Sequence, residues 1–244
     1  MFICVCSDIG EVRSINQDSY YYSKDDRLPI FAVADGMGGH NAGEIASTLA
    51  IEIIEENYNR EKENIINSNL DIPKFINSTL AEANNRILKE ARENENYNGM
   101  GTTVTTGIIY KNEIFIGHVG DSRAYLLRKD ELHQLTQDHS LVAELVRNGS
   151  ISLEEAVNHP QKNIITRALG TDEEVKVDIF SRNIEKDDII LLCTDGLTNL
   201  VSDDRIKEEI INCDDLRKVC GLLTDVANKL GGFDNTTVMI VKIS

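Results

Sequence analysis

The stretch TTVTTGIIYKNEIFIGHVGDSRAYLLRKDELHQL, residues 102–135, holds four β-like runs separated by short polar turns. Val, Ile and Thr, which favour strands, are frequent in these runs. In IIYKNEIFIG and RAYLLRKDELHQL the runs are separated only by Lys-Asn-Glu and Lys-Asp-Glu, a spacing that indicates two hairpins. Hairpin strands pair antiparallel. The stretch therefore predicts an antiparallel sheet rather than a parallel one.

On both sides of this stretch, β-like runs alternate with amphipathic helical segments. One segment, 42–58, places Ile45, Leu49 and Ile53 four residues apart, and the next begins at Asp71. Hairpin strands combined with helices that come in pairs predict an α+β fold rather than a doubly wound one. The other predicted helices are near 140–147, 153–158, 203–211 and 214–230. The other predicted strands are 3–8, 20–24, 29–35, 188–194 and 236–243.

The composition limits the kinds of partner. At 244 residues and 41% apolar content, the chain can form one globular domain, 1–244, with a substantial core. It has 25 Lys plus Arg against 41 Asp plus Glu, for a formal charge of −16. This charge repels polyanions, so we expect neither nucleic acid nor an anionic membrane surface as a partner. Because no heptad pattern is evident, we expect a monomer.

The sequence also carries signals about compartment. The first residues, MFICVCSDIG, lack the basic and long apolar segments of a secretion signal, and no window resembles a membrane span. Five cysteines form an odd number without a pairing pattern, which favours a reducing compartment, and no CxxC pair suggests zinc. We therefore expect a cytoplasmic protein.

Four aspartates each stand where an apolar run gives way to glycine, asparagine or serine: Asp35, Asp121, Asp195 and Asp234. Carboxylate oxygens at strand ends are suitable ligands for Mg2+ or Mn2+, which use a few protein groups and keep several waters. Asp-Gly and Asp-Asn are also ordinary turn sequences, because glycine accepts positive φ and Asp bonds its own backbone. The pattern alone leaves both interpretations open.

Several catalytic signatures are missing from the sequence. It has no Cys-x5-Arg loop, no GxSxG elbow and no GxGxxG or GxxxxGK[ST] phosphate loop. For a phosphate ester substrate, the chemistry that remains is a hydrolytic site with two cations about 3.5–4 Å apart. Such a pair lowers the pKa of a bridging water, holds the hydroxide near phosphorus and needs no covalent nucleophile.

Eight blocks of sequence between about residues 7 and 241 together form a specific pattern: SDIGEVRSINQDSY, FAVADGMGGHNAGEIAS, GTTVTTGII, IGHVGDSRAYLLR, LTQDHSLVAELVRNG, HPQKNIITRALGT, LLCTDGL and DNTTVMIV. In content and order they resemble the metal-dependent serine/threonine protein phosphatases of type 2C, and are most similar to the single-domain bacterial members. The resemblance implies a central sandwich of two antiparallel β-sheets, flanked on both sides by pairs of α-helices, with a metal site in a cleft at one end.

The resemblance also implies ligands for two divalent cations, Mn2+ or Mg2+. Asp35 matches the carboxylate that bridges the two cations, and the carbonyl of Gly36 matches a backbone ligand of one of them. Asp195 and Asp234 match the remaining direct ligands. Asp18 matches an acidic position that supports the site through water.

Further roles follow from the same resemblance. Bacterial members can hold a third, weaker ion with the position of Asp121 together with Asp195. Arg13 matches the arginine that binds the substrate phosphate, for which a planar guanidinium is suited. His40 matches the histidine that protonates the leaving alkoxide. The segment 148–170 matches a variable flap beside the active site. We expect structural roles for His118, His133, His139 and His159.

The implied function is hydrolysis of phosphoserine and phosphothreonine in proteins by a metal-bridging hydroxide. The implied partners are phosphorylated proteins, including a serine/threonine kinase and its substrates. Two alternatives are a phosphatase of small phosphorylated metabolites and an inactive scaffold that binds phosphoproteins. The scaffold is disfavoured because Asp35, Asp195 and Asp234 are all present together with Arg13.

Overall fold

The structure, a computed structural model, describes residues 1–38, 42–157 and 159–244. Its strands form two antiparallel sheets, one of five strands and one of six. The strands are β1 (Phe2–Asp8), β2 (Asp18–Tyr22), β3 (Ile30–Met37), β4 (Gly101–Thr102), β5 (Val104–Tyr110), β6 (Glu113–Val119), β7 (Arg123–Arg128), β8 (Glu131–Gln134), β9 (Asp178–Asn183), β10 (Ile189–Cys193) and β11 (Thr236–Lys242). The α-helices are α1 (Ala42–Ile66), α2 (Ile72–Glu93), α3 (Leu141–Arg147), α4 (Leu153–Val157), α5 (Asp195–Thr198), α6 (Asp203–Ile211) and α7 (Leu216–Lys229).

Strand order shows how the two sheets are built. The five-stranded sheet has the order β1-β11-β10-β7-β8, and the six-stranded sheet has the order β2-β3-β5-β6-β9 with β4 beside β3. Both predicted hairpins are present, and their turns are two residues long because Tyr110 pairs with Glu113 and Arg128 with Glu131. In the second hairpin Lys129 and Asp130 have φ of 51° and 64°, as a type I′ turn requires.

Alternation along the strands separates three apolar layers. In β10, Ile190 and Leu192 face the layer between the sheets, whereas Leu191 and Cys193 face the layer under α6 and α7. Both faces of this strand are therefore buried, which explains its continuous apolar sequence. The six-stranded sheet buries its outer face against α1 and α2 in the same way. The prediction of an α+β sandwich flanked by helix pairs is confirmed.

Some local predictions differ from the structure. Helix α1 continues to Ile66, beyond the predicted end near 58, and Asp71 caps α2 by accepting from Lys74 N. Strand β9 was not predicted, because its sequence DIFSRN is largely exposed and lacks a clear apolar alternation. Across the described ranges, no helix is both long and apolar enough to cross a membrane.

Candidate metal centre

Five aspartates meet at one end of the sandwich, where strands of both sheets begin or end. Asp18 is the first residue of β2, and Asp35 lies directly opposite it near the end of β3. The other three are close to strand ends: Asp121 follows β6, Asp195 follows β10 and Asp234 precedes β11. Antiparallel pairing places these strand ends on the same side, so carboxylates far apart in sequence become neighbours.

Asp18 is held by two threonines of the opposite sheet. Its Oδ2 accepts hydrogen bonds from Thr194 Oγ1 at 2.8 Å and Thr237 Oγ1 at 2.7 Å. Its Oδ1 is buried and has no hydrogen-bond partner among the described residues. Asp35 stands across the strand pair, where two like charges repel each other. Asp18 is therefore oriented by hydrogen bonds, but among the described residues no cation pairs with Asp18 or Asp35.

Asp195 begins the short helix α5, and Asp121 follows a constrained turn. Asn199 Nδ2 donates to Asp195 Oδ2 at 2.8 Å, whereas Oδ1 of Asp195 and Oδ1 of Asp121 are buried without a partner in the described chain. Gly196 allows the close packing here, because a Cβ would lie 2.0 Å from the carbonyl oxygen of Asn235. The geometry leaves two more carboxylate oxygens available to a ligand.

Burial and mutual repulsion raise the pKa values of this cluster. Burial, opposed by the two threonine hydrogen bonds, raises the pKa of Asp18 to about 7. Burial and then the charge of Asp18 raise the pKa of Asp35 well above its usual range, with further contributions from the other three aspartates. The pKa values of Asp121 and Asp195 are also raised, first by burial and then by a neighbouring aspartate. Among the described residues, no cation pairs with Asp18, Asp35, Asp121 or Asp195, and a bound cation would relieve this excess of negative charge.

Arg13 reaches the cluster from the loop between β1 and β2. Its Nη2 donates to Asp234 Oδ2 at 2.8 Å, in a pair that is open to solvent. Asn235 fixes this loop, since its Nδ2 donates to the carbonyl oxygens of Ile9 and Ile15 and its Oδ1 accepts from Gln17 N. A guanidinium is thus placed beside the carboxylates, where it can bind a phosphate.

Gly36 is required by close backbone packing. A Cβ at this position would lie 2.0 Å from the carbonyl oxygen of Gly43 in α1 and 2.7 Å from that of Gln17. The residue follows Asp35 in β3, so its carbonyl is adjacent to that carboxylate along the chain. His40, the expected proton donor, lies outside the described residues, and its role stays a prediction.

The donor set fits hard divalent cations. No group of three or more His, Cys, Asp or Glu side chains within the described ranges already forms a set that could hold a metal ion. Mg2+ and Mn2+ do not require such a set, because they combine a few carboxylates with backbone carbonyls and water. Three buried carboxylate oxygens that have no hydrogen-bond partner in the described part of the chain, together with raised carboxyl pKa values, agree with cations that use these oxygens.

His139 supports the turn before Asp121. Its Nδ1 accepts from Gly120 N at 3.0 Å, and its own backbone N–H donates to Gly120 O at 2.8 Å. Its Nε2 bonds Asp178 Oδ2 at 3.1 Å, and Arg167 donates to Asp178 Oδ1 at 2.9 Å. This clamp joins the aspartate cluster to the end of the 148–170 segment.

Lys162 and Asn163 of that segment line a cleft of about 160 Å³ together with Gly196, Asn199, Leu200, Phe233 and Asp234.

Sequence analysis did not single out the residues that orient the carboxylates, which are Thr194, Thr237, Asn199 and Asn235. The only available signal was their position inside the blocks LLCTDGL and DNTTVMIV, or just after them.

Comparisons with known proteins agree with this geometry. The family model described as protein phosphatase 2C matches residues 11–228. The serine/threonine phosphatase stp of Listeria innocua is 40% identical over 237 residues, covering 97% of this chain and 93% of its own. The solved serine/threonine phosphatase PstP/Ppp of Mycobacterium tuberculosis has a TM-score of 0.90 and 37% identity, covering 100% of this chain and 98% of its own.

A further solved structure is the catalytic domain of serine threonine protein phosphatase PstP in complex with two manganese ions. Its TM-score is 0.87 and its identity is 35%, with 100% of this chain and 98% of that chain covered.

Proposed function

The chain belongs to the protein phosphatase 2C family and is a protein serine/threonine phosphatase, and we propose that it works with two divalent cations, Mn2+ or Mg2+. The observation that carries this proposal is the convergence of four aspartates with raised pKa values. Three of them have a buried oxygen without a hydrogen-bond partner among the residues that the structure describes. A manganese complex of a relative supports the choice of cation.

We assign the ligands as follows. Asp35 and the Gly36 carbonyl, with Asp195 and Asp234, would hold the two cations, and Asp18 would orient water at the site. Asp121 would share a weaker third cation with Asp195, because their charges already interact across the cluster. Bound there, divalent cations lower the pKa of water and neutralise charge on phosphoryl oxygens.

The chain's own residues do the remaining work. Arg13 binds the phosphate of the substrate through its guanidinium, which leaves Asp234 when a phosphoryl group arrives. Asn199, Thr194 and Thr237 hold the carboxylates in place, so that little reorganisation is needed during reaction. His40 donates a proton to the leaving serine or threonine oxygen.

The reaction indicates which proteins are the substrates and partners. A phosphoserine or phosphothreonine protein is the product of a serine/threonine kinase, so we propose such a kinase and its targets as partners. Residues 148–170 would act as a flap over the bound phosphoprotein, since Lys162 and Asn163 line the cleft beside Asp234. We propose that residues 1–244 form one catalytic domain that acts as a cytoplasmic monomer. The helix pairs that cover both outer sheet faces support the monomer. Light scattering checks the monomer.

Hydrolysis of a phosphothreonine peptide tests the mechanism. We expect activity with Mn2+, loss with a chelator and loss in Asp195→Asn, with calorimetry showing weakened Mn2+ binding by that variant. Asp225→Asn, an exposed aspartate on α7, is the matched control and keeps both properties. Activity that survives chelation and the Asp195 change contradicts the metal mechanism. Equal rates on free sugar or nucleotide phosphates favour the metabolite alternative.

A further inference from the structure

All five cysteines lie in one layer of the fold, between the five-stranded sheet and helices α6 and α7. Cys193 and Cys220 are buried there, and Cys4, Cys6 and Cys213 pack against them. All five are free thiols. The phosphatase mechanism uses none of them, so their arrangement needs a separate account.

Two of these thiols contact each other. Cys4 lies in β1, an edge strand that pairs only with β11 among the described strands, and Cys220 lies in the second turn of α7. Their Sγ atoms are 2.7 Å apart. The other thiol contacts of the layer among the described residues are to oxygen. Cys6 meets Thr224 Oγ1 at 3.4 Å, Cys213 contacts the Asp215 carbonyl at 3.2 Å, and Cys4 and Cys220 also contact the carbonyls of Leu216 and Cys4.

The two thiols of the pair differ in reactivity. Cys4 is partly exposed at the sheet edge, whereas Cys220 is 1% exposed. The hydrogen bond between the two thiols lowers the pKa of Cys4, and the same bond together with burial raises the pKa of Cys220. Because the thiolate is the nucleophile, an oxidant from solvent meets Cys4 first, with Cys220 beside it to resolve the product.

We propose that Cys4 and Cys220 form a reversible disulfide when the protein meets a peroxide. The Cys4 thiolate attacks a peroxide oxygen and becomes a sulfenic acid, with hydroxide as the leaving group. Cys220 sulfur then attacks the Cys4 sulfur, the S–O bond breaks, and the hydroxyl leaves as water after taking a proton. In total, two thiols and one hydrogen peroxide give one disulfide and two waters. An external dithiol restores both thiols by exchange.

The disulfide would hold together two segments that lead to the phosphatase site. Strand β1 continues into the loop that carries Arg13, and α7 continues through Gly231 and Gly232 to Asp234. These segments already touch, since Glu11 N donates to Gly232 O at 2.9 Å. Because the sulfurs are already in contact, closing the bond to about 2.05 Å requires little backbone movement. We therefore expect a more stable protein whose active site is not displaced.

Peptide mapping of the full-length protein tests this proposal. After brief treatment with hydrogen peroxide and alkylation of free thiols, we expect one cross-linked peptide pair that contains Cys4 and Cys220 and disappears with dithiothreitol. The melting temperature of the oxidised protein should rise by about 4 °C or more relative to the reduced form. Phosphopeptide hydrolysis should stay within about twofold, because the contact already exists in the reduced fold.

Single variants separate the two thiols. Cys4→Ser should abolish the cross-link and the rise in melting temperature, and Cys213→Ser, the matched control from the same layer, should keep both. In Cys220→Ser, which removes only the resolving thiol, dimedone should trap a sulfenic acid at Cys4. A cross-link between other cysteines, or oxidation of Cys4 to a sulfinic acid in the intact chain without a cross-link, overturns the proposal, as does an unchanged melting temperature of the cross-linked protein.

Discussion

Two sites with buried carboxylates in this protein shift the carboxyl pKa in opposite directions. Asp188, at the start of β10, is 2% exposed, and Arg128 donates to both of its oxygens at 2.8 Å and 2.6 Å. Burial alone would raise the pKa of Asp188, but the hydrogen bonds from Arg128 lower it. Asp18 is 8% exposed, and among the described residues its side chain meets threonine hydroxyls and neighbouring aspartates but no cation, so its pKa rises to about 7.

The direction of the pKa shift separates the carboxylate that is paired with a cation of the chain from those that are not. At Asp188 the chain supplies its own cation, whereas Asp35 and Asp18 face each other and three further aspartates. Burying carboxylates without a cation costs free energy, so we infer that a divalent cation bound from outside the chain supplies the charge at this cluster. The following predictions test this contrast.

The largest expected effect is the loss of activity in Asp35→Asn. Removing the proposed bridging carboxylate should lower kcat/KM for a phosphothreonine peptide by about 10³-fold, equivalent to about 4 kcal/mol of transition-state stabilisation. Metal-free stability should not fall, because the substitution removes repulsion among like charges. Steady-state kinetics and urea unfolding in chelator measure the two quantities. A lower free energy of unfolding for the metal-free variant would contradict the claim that the carboxylates of the cluster repel one another.

Asp188→Asn should have the reverse effect. It leaves the Arg128 guanidinium, only 25% exposed, without its main charged partner, so we expect a loss of about 3 kcal/mol in the free energy of unfolding. Activity per folded molecule should stay close to that of the parent protein. Asp204→Asn breaks the surface pair with Lys207, where Asp204 is 88% exposed, and as a control should cost at most about 1 kcal/mol.

The metal-free protein should lose stability as pH rises. The pKa of Asp18 is about 7 in the folded state against an ordinary value of 3.8, so its contribution is fully present below about pH 4 and disappears as pH rises through 7. We expect the melting temperature in chelator to fall by about 5 °C between pH 5 and pH 8, with Asp35 and Asp195 acting in the same direction. Saturating Mn2+ should remove or reverse this slope, because cation binding requires deprotonated ligands.

The smallest effect should come from Arg13→Ala. Arg13 is the cation of the chain that contacts the cluster, but its pair with Asp234 is exposed and contributes little to stability. We expect about a tenfold rise in KM for the phosphopeptide and a change of less than about 1 kcal/mol in unfolding free energy. Arg13→Lys should recover part of the binding. An unchanged KM in both variants would show that Arg13 does not bind the substrate phosphate.

Much of the fold could be predicted from local patterns. The hairpins at 108–117 and 123–135 follow from β-like runs with very short turns, and helix α6 has the predicted bounds of 203–211. Strand β9 was not predicted, because it is an edge strand whose sequence, DIFSRN, has only two apolar residues, Ile179 and Phe180, and these pack on different core layers.

The aspartates show the limit of sequence patterns at the site. Asp35, Asp121, Asp195 and Asp234 stand out as strand-end carboxylates, but the pattern does not distinguish a turn from a ligand. Asp18 became a candidate only through the resemblance to a family. Its two hydrogen-bond donors, Thr194 and Thr237, are 176 and 219 positions away along the chain, so no local signal reveals the contact.

By itself, the sequence determined the strand and helix periodicity, the excess of acidic charge and the four strand-end aspartates, because each of these depends on neighbouring residues or on composition. Tertiary structure alone decided which carboxylates are neutralised and which are left without a cation, and that Cys4 meets Cys220. The physical reason is that pKa values and thiol contacts depend on distances across the sandwich. Those distances are set by strand order and packing rather than by spacing along the chain.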